Sequence, residues 1–149
     1  MVRYAFYPSP CGMLQIGHRD EKVVSLRLGS NGCAHDPSPV SDLANAQLQD
    51  YFLGVRHHFD FPVQLEGTPF QLSVWDALRR IPYGETRTYG QIAAAVGKPN
   101  AARAVGMACN RNPLWIVIPC HRVVGSNQAL TGYAGGLDVK RMLLALEQT

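Results

Sequence analysis

Residues 89–110, YGQIAAAVGKPNAARAVGMACN, decide the fold. Tyr89 to Val96 has the spacing of a short helix that Gly97-Lys98-Pro99 ends, and Asn100 supplies an N-cap for a further helix from Ala101 to about Asn110. Upstream, Phe70 to Ile81 is amphipathic, with Leu72, Trp75, Leu78 and Arg79 at helical spacing, and it stops at Pro82-Tyr83-Gly84. A longer supporting helix followed by two short ones around a tight Gly-containing turn is a helix-turn-helix pattern. The last helix is an unusual DNA reader. Ala101, Ala102, Ala104, Gly106 and Ala108 are small, and Arg103 is the one long side chain near its start. Reading bases in the major groove needs several Asn, Gln, Arg or Lys side chains, which this helix lacks. Small residues permit close approach to the DNA backbone with one cation entering the duplex, which suits sequence-tolerant minor-groove binding; the alanines would equally well pack another helix.

C-terminal to this pattern, Ile118-Pro119-Cys120-His121-Arg122-Val123 places a thiol beside an imidazole. A thiol becomes a nucleophile as its thiolate, and a neighbouring imidazole or cation lowers the cost of that ionisation. Leu114-Trp115-Ile116-Val117-Ile118 reads as a buried strand, being a short continuous apolar run, and Pro119 ends it so that Cys120 emerges at the strand's end. Taken alone the pair is also compatible with a buried structural cysteine.

The charge is unevenly spread. Residues 1–68 carry five Lys/Arg against seven Asp/Glu, whereas residues 69–149 carry nine against four. From Arg87 to Arg111 there are cations at 87, 98, 103 and 111 and no acid, as expected where phosphates are neutralised, although a solvated basic face would look the same. With 149 residues, 46% of them hydrophobic, the chain can bury one good core or two small ones. No run reaches membrane-span length and no signal-peptide apolar block follows Met1-Val2-Arg3-Tyr4, so a cytoplasmic location without membrane contact is expected. The four cysteines, at 11, 33, 109 and 120, are too scattered for a disulfide framework. His57 and His58 with Cys33 and His35 match no structural zinc spacing, so no metal is expected.

The first segment reads as a three-stranded antiparallel meander over Val2 to Tyr7, Met13 to His18 and Val23 to Leu28. Ser41 or Asp42 could cap a helix running to Gly54 and covering one face of that sheet, and Phe61 to Pro69 reads as the connection to the second half.

Residues 69–149 resemble the O(6)-alkylguanine-DNA alkyltransferases. The resemblance rests on five ordered blocks: Tyr89-Gly90-Gln91-Ile92-Ala93, Arg103-Ala104-Val105-Gly106, Asn112-Pro113, Pro119-Cys120-His121-Arg122-Val123 and Gly132-Tyr133-Ala134-Gly135-Gly136-Leu137. Over residues 1–64 it is loose, limited to Ser9-Pro10-Cys11-Gly12 and the strand-then-helix order. It implies an α+β chain: a small N-terminal antiparallel sheet with a helix, ribonuclease H-like, as support domain at 1–64, a linker at 65–69, and a winged helix-turn-helix domain for DNA binding and alkyl transfer at 70–149.

The resemblance also implies roles. Cys120 would accept the alkyl group from a damaged guanine irreversibly, so each molecule would act once and need no cofactor. His121, bridged by water to Glu147, would draw the thiol proton; Asn112 would fix the geometry; Tyr89 would donate a hydrogen bond or proton to the departing base. The partner would be double-stranded DNA carrying O(6)-alkylguanine, bound by a monomer through the minor groove with little sequence preference. Because the target atom lies in the pairing edge, the nucleotide must leave the stack, and Arg103 would fill the gap. Ala102, Arg111, Thr88 and Tyr89 would join the DNA contact. Tyr133, Ala134, Gly135, Val123 and Trp115 would form the substrate pocket on and beside a loop from Gly125 to Gly136.

Ala134 stands where some relatives carry Ser, which puts fine substrate preference in question. Cys109, near Arg111, reads as a second modifiable thiol or a buried structural one. Three other readings are weighed: a lesion-binding protein of the alkyltransferase-like class, which lacks the cysteine present here; a helix-turn-helix regulator, which the alanine-rich helix disfavours; and a cysteine hydrolase, for which no loop resembles an oxyanion hole.

Overall fold

Short runs with apolar residues facing one way build a three-stranded antiparallel meander from β1 (Arg3–Tyr7), β2 (Leu14–Arg19) and β3 (Lys22–Leu28), in the order β1-β2-β3. Its register pairs Ala5 with Ile16 and Ile16 with Leu26, a row of three buried apolar residues across the sheet. Gly17 sits at a bulge where an added Cβ would lie 2.2 Å from Ser25 Oγ, so glycine is what lets β3 approach. The computed structural model describes residues 1–149 in two units, Met1–Leu65 (with Thr149) and Glu66–Gln148. No helix is long and apolar enough to cross a membrane.

Helix α1 (Pro39–Phe52) packs Val40, Ala44, Leu48 and Tyr51 against the sheet. It begins three residues earlier than Ser41 would set it. Ser38 is the N-cap, exchanging a capping box with Ser41, and Pro39 takes the first turn, where its missing N–H is no loss. Residues of the expected connection also join the sheet: Val23 donates to Pro62 O and accepts from Gln64 N, forming a parallel bridge with Val63.

In the second unit α2 (Pro69–Arg79) is capped by Thr68 with Gln71, and α3 (Tyr89–Ala95) by Thr88 with Gln91. Buried Trp75 of α2 donates its indole N–H to Ala108 O at 2.9 Å, fixing α2 against α4 (Ala102–Asn110). Asn100 is not the N-cap of α4. Ala101 holds that position without a side-chain bond, and its N–H closes a turn onto Lys98 O after Gly97, which has φ +79°.

Residues 114–118 do not form the expected strand. Asn112 Oδ1 takes the Leu114 N–H, the Ile118 N–H returns to Leu114 O, and Ile116 adopts φ +74°, so local turns consume the donors a ladder would need. Apart from a single bridge at Leu114, the run is buried by its neighbours without forming a strand ladder, and an apolar run alone does not separate the two cases. After it come the short strand β5 (Val123–Val124), parallel to β4 (Arg87–Thr88), and helix α5 (Leu137–Leu146).

Candidate active site

The segment from Asn112 to Cys120 is a pedestal for one sulfur atom. Val117 N–H bonds to Trp115 O at 2.9 Å across Ile116, a γ-turn with positive φ that is rare for a β-branched residue. Pro119, with φ −81° and ψ 63°, centres an inverse γ-turn in which Cys120 N–H reaches Ile118 O at 2.8 Å. Asn112 is fully buried and braces both ends, accepting from Leu114 N at 2.9 Å and donating through Nδ2 to Ile118 O at 2.8 Å and to Cys120 Sγ at 3.2 Å. Burial pushes the Cys120 thiol up to about 11, with the Asn112 bond pulling the other way. At neutral pH it is therefore a thiol that needs a base.

His121, the next residue, is the candidate base. Its Nε2 lies 2.7 Å from Glu147 Oε2 with both side chains out of solvent, a direct contact where the resemblance implied a bridging water. Glu147 is the C-cap of α5, not a residue of its regular turns. Arg122 grips the same carboxylate, Nε to Oε1 at 2.7 Å and Nη2 to Oε2 at 3.0 Å, and donates Nη1 to Ile81 O at 2.8 Å. With its acceptors held by Arg122, the carboxylate receives the His121 Nε2–H, which leaves Nδ1 as the lone-pair nitrogen; that atom is buried and has no hydrogen-bond partner. Burial lowers the His121 pKa, against the raising effect of Glu147, so the imidazole is neutral at pH 7 and able to accept a proton.

Elsewhere in the second unit, Trp115 and Tyr133 have ring centroids 6.1 Å apart, tilted by 50°. Gly135 lies under Tyr133, where a Cβ would fall 2.8 Å from the ring, and Ala134 is exposed on the same loop. Val123 is buried and its carbonyl accepts from Lys140 Nζ at 2.7 Å. Tyr89, at the start of α3, meets Thr131 Oγ1 at 2.7 Å and lies beside Gly106 of α4. Burial raises its pKa, with the Thr131 bond opposing.

The remaining sequence-predicted residues lie on or at the ends of α3 and α4. Ala102 and Arg103 open α4 and Arg111 is its C-cap, with Arg103 and Arg111 exposed; Thr88 caps α3. Cys109 is buried, its thiol pushed up to about 12. Two residues of the site carry no role in the sequence reading, Arg122 and Lys140. A signal was available for Lys140, which shares one face of α5 with fully buried Leu143 and so puts a charge on a core stripe that must find partners. For Arg122 the sequence holds no such signal.

Residues 69–149 match the family model described as 6-O-methylguanine DNA methyltransferase, DNA binding domain. A methylated-DNA–protein-cysteine methyltransferase of Methanosarcina acetivorans is 49% identical, covering 97% of this chain and 97% of that protein. The constitutive one of Bacillus subtilis is 46% identical, covering 99% of this chain and 96% of its own. A crystal structure of Mycobacterium tuberculosis OGT in complex with DNA superposes with TM-score 0.90 at 45% identity, covering 97% of this chain and 92% of that chain.

Proposed function

The chain belongs to the methylated-DNA–protein-cysteine methyltransferase family, and from that premise we propose that it repairs O(6)-alkylguanine in DNA by moving the alkyl group onto Cys120. The observation that carries this reading is a buried thiol 3.2 Å from the Asn112 amide, followed in the chain by a buried neutral His121 whose Nε2 is held by Glu147 and whose Nδ1 has no partner. With burial holding the thiol well above neutrality, Cys120 is protonated at pH 7, so the reaction depends on proton removal.

His121 Nδ1 takes that proton, and the resulting imidazolium is held by Glu147 through Nε2. As the S–C bond forms, the O–C bond breaks and its electron pair stays with the guanine. Tyr89 donates to the base as this charge develops, the base takes up one proton, and His121 releases its own to solvent. Guanine and a thioether result. A neutral thioether is a poor alkyl donor, since displacement at its alkyl carbon would have to expel an unactivated thiolate, so nothing in the site returns Cys120 to its free form, and each molecule acts once.

The DNA-bound relative supports DNA as the partner. The small face and single early cation of α4 support minor-groove docking by a monomer with little sequence preference, with Arg103 filling the stack and Ala102, Thr88 and Arg111 beside the backbone. Tyr133, Trp115, Gly135, Ala134 and the Val123 backbone then line the pocket for the extruded base. We read residues 1–64 as a ribonuclease H-like support domain, on the meander plus α1, and 70–149 as a winged helix-turn-helix, on the β4–β5 pair beside α3 and α4. The cytoplasm is its proposed location.

Intact-mass measurement after incubation with duplex DNA carrying O(6)-methylguanine tests the reaction. A gain of one methylene mapped to the Cys120 peptide is expected. Tight binding without that gain would make the chain a lesion-binding protein, and no binding would overturn both.

A further inference from the structure

We propose that Thr131 is a positioning residue for alkyl transfer, its hydroxyl donating to the Tyr89 oxygen so that the single tyrosyl proton is directed at the departing base. The inference rests on the reading of Tyr89 given above and names the group that makes Tyr89 effective.

The two hydroxyl oxygens are 2.7 Å apart, and each carries one proton. If Tyr89 donates to Thr131, its proton is used and it presents only lone pairs to a base. If Thr131 donates, the tyrosyl proton is free. The arriving base decides between these, because its acceptor gains negative charge as the alkyl group leaves. Tyr89 turns its proton to that acceptor and Thr131 supplies the bond that Tyr89 has given up. In a chain of this kind each hydrogen bond polarises the next, which strengthens Tyr89 as a donor when charge develops.

A relay of this sort works only if Thr131 is held still, and it lies on the loop between β5 and α5. Two contacts hold it, and two further bonds hold the groups that make them. Its carbonyl accepts from Lys140 Nζ at 3.2 Å, and the same ammonium bonds to Val123 O at 2.7 Å. Its methyl lies over Gly125, where an added Cβ would be 3.1 Å from Thr131 Cγ2. Gly125 N–H closes the loop neck on Ala129 O at 2.7 Å. Lys140 is fully buried, and both of these acceptors are backbone carbonyls. Burying an ammonium there is costly, whereas leucine or methionine would fill the space without that penalty. The ammonium also pulls down the Cys120 and Cys109 thiols, and its two carbonyl bonds staple residue 131 to β5, fixing the hydroxyl that Tyr89 meets.

The test is single-turnover transfer from methylated duplex by Thr131→Val, Thr131→Ser, Tyr89→Phe and the Thr131→Val/Tyr89→Phe double variant, with melting temperatures recorded for each. Thr131→Val keeps the methyl and shape, so it should melt like the parent yet transfer about tenfold more slowly, the worth of one hydrogen bond. Thr131→Ser keeps the hydroxyl and should transfer within about twofold of the parent. In the Tyr89→Phe background Thr131→Val should cause no further slowing, because the residue acts through that hydroxyl. If Tyr89→Phe is slow but Thr131→Val matches the parent, or slows both backgrounds equally, the proposal is overturned and the reading of Tyr89 survives. If Tyr89→Phe itself transfers at the parental rate, the reading of Tyr89 fails and takes the proposal with it.

Discussion

Arg122 clasps Glu147 with two parallel N–H groups, Nε to Oε1 at 2.7 Å and Nη2 to Oε2 at 3.0 Å, while His121 occupies Oε2 from another side. The buried carboxylate thus faces a cation and a neutral imidazole, and neither residue can leave the arrangement cheaply. Glu147→Gln places an amide where Arg122 requires an acceptor and removes the only charge compensating that guanidinium. The expected loss is about 3–5 kcal/mol of folding stability, the usual consequence of removing one partner from a buried ion pair. Chemical denaturation should show it as a lower midpoint with an unchanged slope, and an unchanged midpoint would mean that the pair does not hold α5 in place.

Neutral His121 also fixes the pH response. Its folded-state pKa lies below the ordinary 6.5, because burial outweighs Glu147. The unfolded chain therefore binds more protons below that pH, so the stability gained by burying neutral His121 is full above pH 6.5 and is lost as pH falls through that value towards the lowered one. Alkyl transfer should be level just above pH 6.5 and decline on the acid side, as the Nδ1 lone pair is protonated. Rapid-quench transfer rates between pH 5 and pH 8 would check this; a rate that rises on acidification would exclude His121 as the base.

Asn112 is bound on both sides of its amide. Asn112→Asp keeps the acceptor for Leu114 N–H but presents oxygen to Ile118 O and Cys120 Sγ, where Nδ2 now donates. Two donor bonds become lone-pair contacts and a carboxylate faces a sulfur that must become negative. Transfer should fall by roughly a hundredfold, with Asn112→Ala milder because it adds no charge. Equal rates for the two would show that Asn112 only shapes the turn.

The helices and the meander were legible because apolar period and stops such as Gly97 are local signals, whereas the caps were not: Ser38 and Ala101 hold the positions read for Ser41 or Asp42 and for Asn100. The reactive pair was legible by its motif. The pedestal beneath it was not, because Leu114 to Ile118 has the composition of a strand and only the Asn112 side chain and the positive φ at Ile116 turn it into γ-turns. Nor were the partners of Arg122 and Lys140 legible, since the carboxylate and carbonyls they meet lie 25, 17 and 9 residues away in sequence. Buried charge on α5 could be seen, but what it pairs with depends on tertiary packing.

Gly135 leaves no room under Tyr133: an added Cβ would sit 2.8 Å from one ring carbon and 3.4 Å from Trp115. Gly135→Ala therefore displaces the Tyr133 ring on a loop outside the main core, and the fold should lose less than about 1 kcal/mol. The pocket should suffer instead, with methyl transfer slowed and larger adducts affected more. Comparing O(6)-methylguanine with O(6)-benzylguanine in the same duplex checks this, and equal slowing of the two would mean that Gly135 does not bound the adduct.

Arg103 is exposed in the first turn of α4, and nothing in the fold depends on it for packing. If it fills the space left by the extruded nucleotide, its guanidinium offsets part of an unpairing penalty of about a few kcal/mol, and that help matters only when there is a stack to break. Arg103→Ala should slow transfer from duplex DNA by roughly tenfold to a hundredfold, corresponding to about 1.4–2.7 kcal/mol. Transfer from the free base O(6)-benzylguanine should be unchanged, because no stack is broken. A contact made only to phosphate behaves differently, weakening binding in a salt-dependent way without changing the rate at saturating DNA. Single-turnover rates at saturating duplex at two salt concentrations, set against the free-base rate, separate these cases. Parental speed on duplex would remove Arg103 from base extrusion, and an equal loss on the free base would place its effect in the pocket rather than on the DNA.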